Sequence, residues 1–298
     1  MSNDYQSGPG QPHGWGYGQG PQGGPYGYGP GPGPRRVDLL DVLEGVMQDG
    51  LSLSNLGRIA RASGSKFWLG AAIGAALHGA GANLVIHYRD SRAAAEALAE
   101  RLESARPGST ALVQADLVDT ASLSGLAARA AAAFDGLDVL VNNASSYYPT
   151  AVGAITEAHW EDLVGSNLRA PLFLSQAAVP WLRRRGGLIV NIVDIHARRP
   201  LAGYPLYCIA KAGLEMLTYA LARELGPEVR VNGIAPGAIL WPESGVSEEE
   251  KAATVAAIPL GRTGSPADIA ACALYLAGAG RYVNGQVIAV DGGWGLGR

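Results

Sequence analysis

The sequence predicts an α/β fold, a doubly wound parallel sheet with helices on both faces. Three observations carry that expectation. From Gly64 onward, short β-rich apolar runs alternate with alanine-rich segments of helical length. The apolar runs are continuous rather than alternating, as in strands buried on both faces. Four of them end in polar residues, the pattern expected where an open α/β sheet presents its carboxyl edge to a ligand.

Residues 1–34 form a Gly/Pro/Tyr/Gln tract with no aliphatic run to bury, and predict a disordered tail. No basic segment with an apolar core opens the chain, so no signal peptide is expected. Residues 35–63 change character. Val37, Leu39, Leu40, Val42, Leu43 and Val46 have helical spacing, predicting a short amphipathic helix that ends near Gly50. Ser54 is placed to cap a second short helix through Ala62.

Residues 67–87 are almost continuously apolar, which raises the question of a membrane span. Gly70, Gly74, Gly79 and Gly81, with His78 and Asn83, favour a helix closed at 79–81 and then a strand. Strands are expected at 82–87, 110–114, 137–141, 188–193, 229–234 and 286–290. Helices are expected at 91–104, 120–134, 157–184, 207–225 and 266–277, with Pro180 a kink or stop in the third. Residues 64–298 thus read as a single domain.

Composition narrows the function. A net charge of −3 gives no sign of nucleic-acid binding. The two cysteines, Cys208 and Cys272, lack metal-like spacing and read as buried core residues. They suit a reducing, cytoplasmic compartment, and no metal site is expected.

The chemistry concentrates at 188–211. Asp194 follows an apolar strand, at its carboxyl end. After a loop, Tyr207 and Lys211 lie four apart, on one helical face. A nearby ammonium favours phenolate and lowers a tyrosine pKa. Reduction of a C=O or C=N bond needs such an acid, because a proton must arrive where hydride does not. Lysine is not this chain's default cation: only Lys66, Lys211 and Lys251 occur among 23 basic residues.

A dinucleotide site needs a strand, a glycine turn and a helix N-terminus facing the pyrophosphate. The candidate turn at 63–70 keeps Gly64 and Gly70 but inserts Phe67 and Trp68. The preceding Arg58-Ile59-Ala60-Arg61-Ala62 is a poor buried strand, so the first strand is expected to be atypical or missing. Beyond the next strand, His87, Arg89 and Ser91 suit a 2′-phosphate and select NADPH over NADH. Asp116 is placed to accept from an adenine amino group. Asn143, Ala144 and Ser145 offer backbone and amide groups at the same sheet edge.

These residues resemble the short-chain dehydrogenase/reductase superfamily, a Rossmann-like group, and within it the bacterial and trypanosomatid pteridine reductases. The resemblance covers about 70–293. It rests on NNAS at 142–145, Asn167 in GSNLRAP, Tyr207-x-x-x-Lys211 and APG at 235–237. The subfamily signs are HYR at 87–89, NNASSYYPT at 142–150 and Asp194, where most of the superfamily carries Ser. The residues before about Gly70 depart from the family.

The resemblance implies NADPH-dependent reduction of a dihydropteridine or dihydrofolate to its tetrahydro form. Tyr207 would deliver the proton and Lys211 would hold the nicotinamide ribose. Asp194 would orient Tyr207 or a water and bind substrate, and Asn167 would support Lys211 through water. Tyr147 would stack on the pterin. Pro236 and Gly237 would border the nicotinamide, and Trp241 would flank the substrate. A homotetramer is implied too. Two alternatives stay open: reduction of another carbonyl or imine, and a non-catalytic fusion or rearranged protein with impaired cofactor binding.

Overall fold

The computed structural model describes residues 65–241 and 246–297. The expected tail at 1–34, the expected helical segment at 35–63 and Gly64 lie outside them. The first described element is a helix, α1 (Ser65–Gly79), followed by strand β1 (Leu84–Tyr88). Residues 67–87 are thus helix and then strand, and no helix among the described residues is long and apolar enough to cross a membrane.

The alternation continues with α2 (Arg92–Ala105), β2 (Thr110–Gln114), α3 (Leu123–Ala133) and β3 (Val139–Asn142). Next come α4 (Glu157–Val164), a π-helical turn at Gly165–Arg169, α5 (Ala170–Arg185) and β4 (Leu188–Ile192). The chain closes with α6 (Pro205–Leu225), β5 (Arg230–Pro236), α7 (Glu248–Ala257), α8 (Pro266–Ala277) and β6 (Val287–Val290). All pairings among the described residues are parallel.

The long helix expected at 157–184 is interrupted, but not at Pro180, which α5 carries internally. The break is the π-turn at 165–169. There the Asn167 side-chain amide donates to the Leu163 carbonyl at 2.9 Å, competing with the backbone ladder. Helix α6 begins two residues before Tyr207, because Pro205 has the φ of a first helical turn and needs no N–H there. The expected helix at 120–134 opens as a 3₁₀ turn, Thr120–Ser122. Helix α7 was not expected, although its signal is plain: Ser247 and Glu250 form a reciprocal capping box.

Among the described residues the strands form two sheets, β1–β2 and β3–β4–β5–β6. Ile73 and Leu77 of α1 join Leu84 of β1 and Val139 and Val141 of β3 in one apolar cluster, so α1 reaches both sheets. Strand β4 is buried along its whole length between β3 and β5. A polar chain crosses this otherwise apolar centre. Asn142 donates to Asn191 Oδ1 (2.8 Å), Asn191 donates to Thr218 Oγ1 (2.9 Å), and Thr218 donates to the Leu214 carbonyl (2.9 Å). This chain ties β3 and β4 to α6, the helix that carries Tyr207 and Lys211.

Asn191→Ala breaks that chain and removes a partner of the buried Asn142 amide. It is expected to lower the unfolding free energy by about 1–3 kcal/mol. Urea denaturation checks this, and an unchanged midpoint contradicts it.

Candidate active site

Strand β4 delivers Asp194 to its carboxyl end, and the carboxylate is used twice. Oδ1 accepts from the His196 N–H at 2.8 Å, capping the 3₁₀ turn Ile195–Ala197. Oδ2 accepts from the Tyr207 hydroxyl at 2.7 Å. Tyr207 is 5% exposed and Lys211 2%. The Lys211 ammonium donates to the Ile192 carbonyl at 2.8 Å and lies 5.7 Å from the centre of the Tyr207 ring. The structure therefore brings together the three residues that the sequence singled out.

The electrostatics differ from the expectation that Lys211 lowers the Tyr207 pKa. Burial, followed by the neighbouring Asp194 charge, holds the Tyr207 phenol well above its ordinary 10.0. Burial also pushes Lys211 down to about 8, partly offset by Asp194. The ammonium lies over the ring while the carboxylate holds the hydroxyl, so the carboxylate and desolvation win. Tyr207 is thus a firmly protonated donor.

Tyr147, 38% exposed, stands beside this group, its ring edge-on to Tyr207 with centres 4.9 Å apart. Its other neighbour is Tyr204, stacked at 4.7 Å and 15°. The Thr150 N–H to Gly203 carbonyl bond (2.7 Å) ties together the two loops that carry these rings. The sequence reading passed over Tyr204; its only signal is an aromatic three residues before Tyr207. Burial and contact with Tyr204 raise the Tyr147 pKa.

Asn167 is fully buried and engaged without Lys211: it donates to the Leu163 and Ser146 carbonyls, both at 2.9 Å, and accepts from Ser145 Oγ at 2.7 Å. It holds the strand-end loop that carries Ser145. Asn143 lies against α1, where a Cβ on Gly70 would stand 2.7 Å from Asn143 Nδ2. Pro236 ends β5, and the Gly237 N–H donates to the Val290 carbonyl at 3.1 Å. Trp241 is half-buried on a groove of about 720 Å³ along α7, with Lys251, Val255 and Pro259, apart from the tyrosine cluster.

Comparison with known proteins identifies the family. Residues 66–295 match the family described as enoyl-(acyl carrier protein) reductase. An uncharacterized oxidoreductase of Methylorubrum extorquens is 36% identical over 243 residues, covering 80% of this chain and 97% of that protein. Pteridine reductase 1 of Leishmania tarentolae is 37% identical, with the same coverage of 80% and 97%. The 3-oxoacyl-[acyl-carrier-protein] reductase FabG of Staphylococcus aureus is 33% identical, covering 78% of this chain and 95% of its own.

The chain belongs to the short-chain dehydrogenase/reductase superfamily.

Reductases of this superfamily use a nicotinamide cofactor, which supplies hydride when bound. The described residues fit one. Among the described residues the buried Lys211 ammonium has one carbonyl partner, which leaves two of its three N–H groups for a ribose. Gly70, in the second turn of α1, approaches Asn143 too closely for a Cβ. At the far end, His87 departs from the expected role. Its Nε2 is bonded to the Ala115 carbonyl at 2.9 Å and burial lowers its pKa, so it is a neutral group at pH 7. Arg89 is the exposed cation there, paired with Asp90 at 2.7 Å. Such exposed pairs contribute only ~0.2–1 kcal/mol and yield readily to a phosphate. Ser91 precedes α2 without capping it through its side chain. Asp116 Oδ1 accepts from the Val118 N–H at 2.9 Å, which holds its loop.

The Lys211 shift sets a pH signature. Its folded pKa of about 8 lies below its ordinary 10.5, so between these values the folded state binds fewer protons than the unfolded state. The cost of the buried charge is complete below pH 8 and is relieved as pH rises. Tyr207, with its raised pKa, acts oppositely only above pH 10. Relative to Lys211→Met, the wild-type protein should therefore gain stability between pH 8 and pH 10. Paired urea titrations read this difference, and a pH-independent difference contradicts it.

Proposed function

We propose that the protein is an NADPH-dependent reductase of dihydropteridines, dihydrofolate included, giving the tetrahydro form. The observation that carries this reading is the Tyr207–Asp194 hydrogen bond with the Tyr147 ring beside it. A carboxylate and a flat aromatic suit a flat, nitrogen-rich ring better than they suit an acyl chain. The similarity to a pteridine reductase supports it.

In this reading Lys211 holds the nicotinamide ribose through its spare N–H groups, and Arg89 and Ser91 receive a 2′-phosphate. Tyr147 stacks on the substrate ring, and Asp194 accepts from its N–H groups. As the Asp194 carboxylate turns toward substrate, the Tyr207 hydroxyl loses the anion that raises its pKa. It then gives up its proton more readily, to the ring nitrogen next to the carbon that has received hydride. The burial of Tyr207 keeps bulk water from competing for that proton. The reading also carries a homotetrameric assembly and a cytoplasmic setting.

A non-catalytic reading is one alternative, resting on the sequence alone, where Phe67 and Trp68 stand in the expected glycine turn. Reduction of another carbonyl or imine is the remaining alternative, and FabG is a relative that points toward it.

Steady-state assays with NADPH discriminate among these. Dihydrobiopterin should turn over, and a panel of simple ketones should not. Tyr207→Phe should lower kcat by about 10²–10⁴-fold with NADPH binding intact. Tyr147→Ala should raise KM for the pterin by roughly 2- to 10-fold, the worth of ~0.5–1.5 kcal/mol of stacking. Turnover of ketones but not pterins sinks the substrate assignment. Full activity of Tyr207→Phe sinks the mechanism.

A further inference from the structure

Residues 193–204 join β4 to α6, and Asp194 stands near the start of this connection. A loop side chain keeps one place only where its backbone is tied down. Asp194 needs that, because its two carboxylate oxygens serve different donors, the His196 N–H and the Tyr207 hydroxyl. The turn Ile195–Ala197 is closed by local bonds. The Ala197 N–H donates to the Asp194 carbonyl at 3.1 Å, and the Arg198 and Arg199 N–H groups donate to the Ile195 carbonyl at 3.1 and 3.0 Å. These bonds shape the turn but do not fix where it sits along α6.

Contacts remote in sequence do that. Ile195 shares an apolar cluster with Leu214 of α6 and with Trp294. Arg199 donates through Nη1 to the Trp294 carbonyl at 3.1 Å. The polar contact with α6 is made by Arg198. Its Nε donates to Glu215 Oε1 and its Nη2 to the Tyr219 hydroxyl, both at 2.6 Å. That hydroxyl donates in turn to Glu215 Oε1, also at 2.6 Å, so the three side chains close a ring. Arg198 is largely exposed, but Glu215 is only 9% exposed. A carboxylate withdrawn from water and held by two donors is a firmer anchor than a surface ion pair.

The sequence places this anchor. Tyr207, Lys211, Glu215 and Tyr219 recur at intervals of four, so they follow one stripe of α6. Asp194 meets the first residue of the stripe and Arg198 the last two. From Tyr207 to Glu215 the helix rises about 12 Å. The segment from Asp194 to Arg198 is thus fastened to α6 at both ends, and its turn cannot slide along the helix.

We propose that Arg198 is a positioning residue for proton transfer: held by Glu215 and Tyr219, it fixes the turn that aims the Asp194 carboxylate at the Tyr207 hydroxyl. It acts through Asp194. The inference rests on the reading of Tyr207 as the proton donor.

Steady-state assays with NADPH and dihydrobiopterin, run in H2O and in D2O, test it. Arg198→Ala should lower kcat by roughly 10- to 100-fold, the scale of a reacting group displaced by about 1 Å. The KM for NADPH should stay near its unmodified value. The solvent isotope effect on kcat should rise, because proton delivery becomes the slow step. A variant that merely contains less folded protein loses kcat without changing that ratio. Arg198→Lys keeps a cation for Glu215 and should recover part of the loss. Arg198→Ala strands the buried Glu215 carboxylate, so Arg198→Ala/Glu215→Leu removes both partners together. The double variant should show the same loss and the same raised isotope effect. The inference is overturned if the double variant keeps the unmodified kcat, or if kcat falls with an unchanged isotope effect. A large loss in Tyr207→Phe with none in Arg198→Ala overturns this inference alone. Full activity of Tyr207→Phe overturns the proton-donor reading with it.

Discussion

An ammonium group taken out of water needs compensation from whatever surrounds it, and for Lys211 that is the Ile192 carbonyl with Asp194 nearby. This requirement links the features of the site. The carbonyl lies at the end of β4, the most deeply buried strand, and so cannot drift. Lys211 and Tyr207 share a face of α6, so anchoring the first fixes the second. Asp194, two residues past the strand, then reaches the Tyr207 hydroxyl. The Asn142–Asn191–Thr218 chain holds β3, β4 and α6 in register behind it. Each contact is modest, and together they leave the three functional groups one arrangement.

The same burial sets the protonation states. A phenol beside an ammonium suggests an easily ionised acid, but here the hydroxyl faces a carboxylate and the ammonium lies over the ring. The result is a tyrosine that keeps its proton and a lysine that holds its proton weakly. In the proposed mechanism this is the useful resting state for a proton donor, since the proton is present and shielded from water until a substrate disturbs the Asp194 contact.

Much of this was legible in the sequence, for identifiable reasons. Continuous apolar runs betray strands buried on both faces, and 110–114 was read to its limits. The Asp194, Tyr207 and Lys211 group was legible because a strand end and a helical repeat bring them together without long-range information. What was not legible depends on contacts remote in sequence. The π-turn comes from the Asn167 amide reaching Leu163, where proline seemed the stronger breaker. The Tyr147–Tyr204 stack needs two loops to meet. The sign of the Tyr207 shift needs the depth of burial, which spacing does not reveal. The expectation of an atypical or missing first strand rests on Arg58 and Arg61, which lie outside the described residues.

The most direct test of the site's resting state is an ultraviolet titration of tyrosinate in the ligand-free protein, with the Tyr207→Phe curve subtracted. If burial and the Asp194 carboxylate hold the proton on Tyr207, the difference shows no ionisation up to pH 10, the ordinary value for a phenol. A tyrosinate signal from Tyr207 between pH 7 and pH 9 would mean that the ammonium, not the carboxylate, governs the hydroxyl.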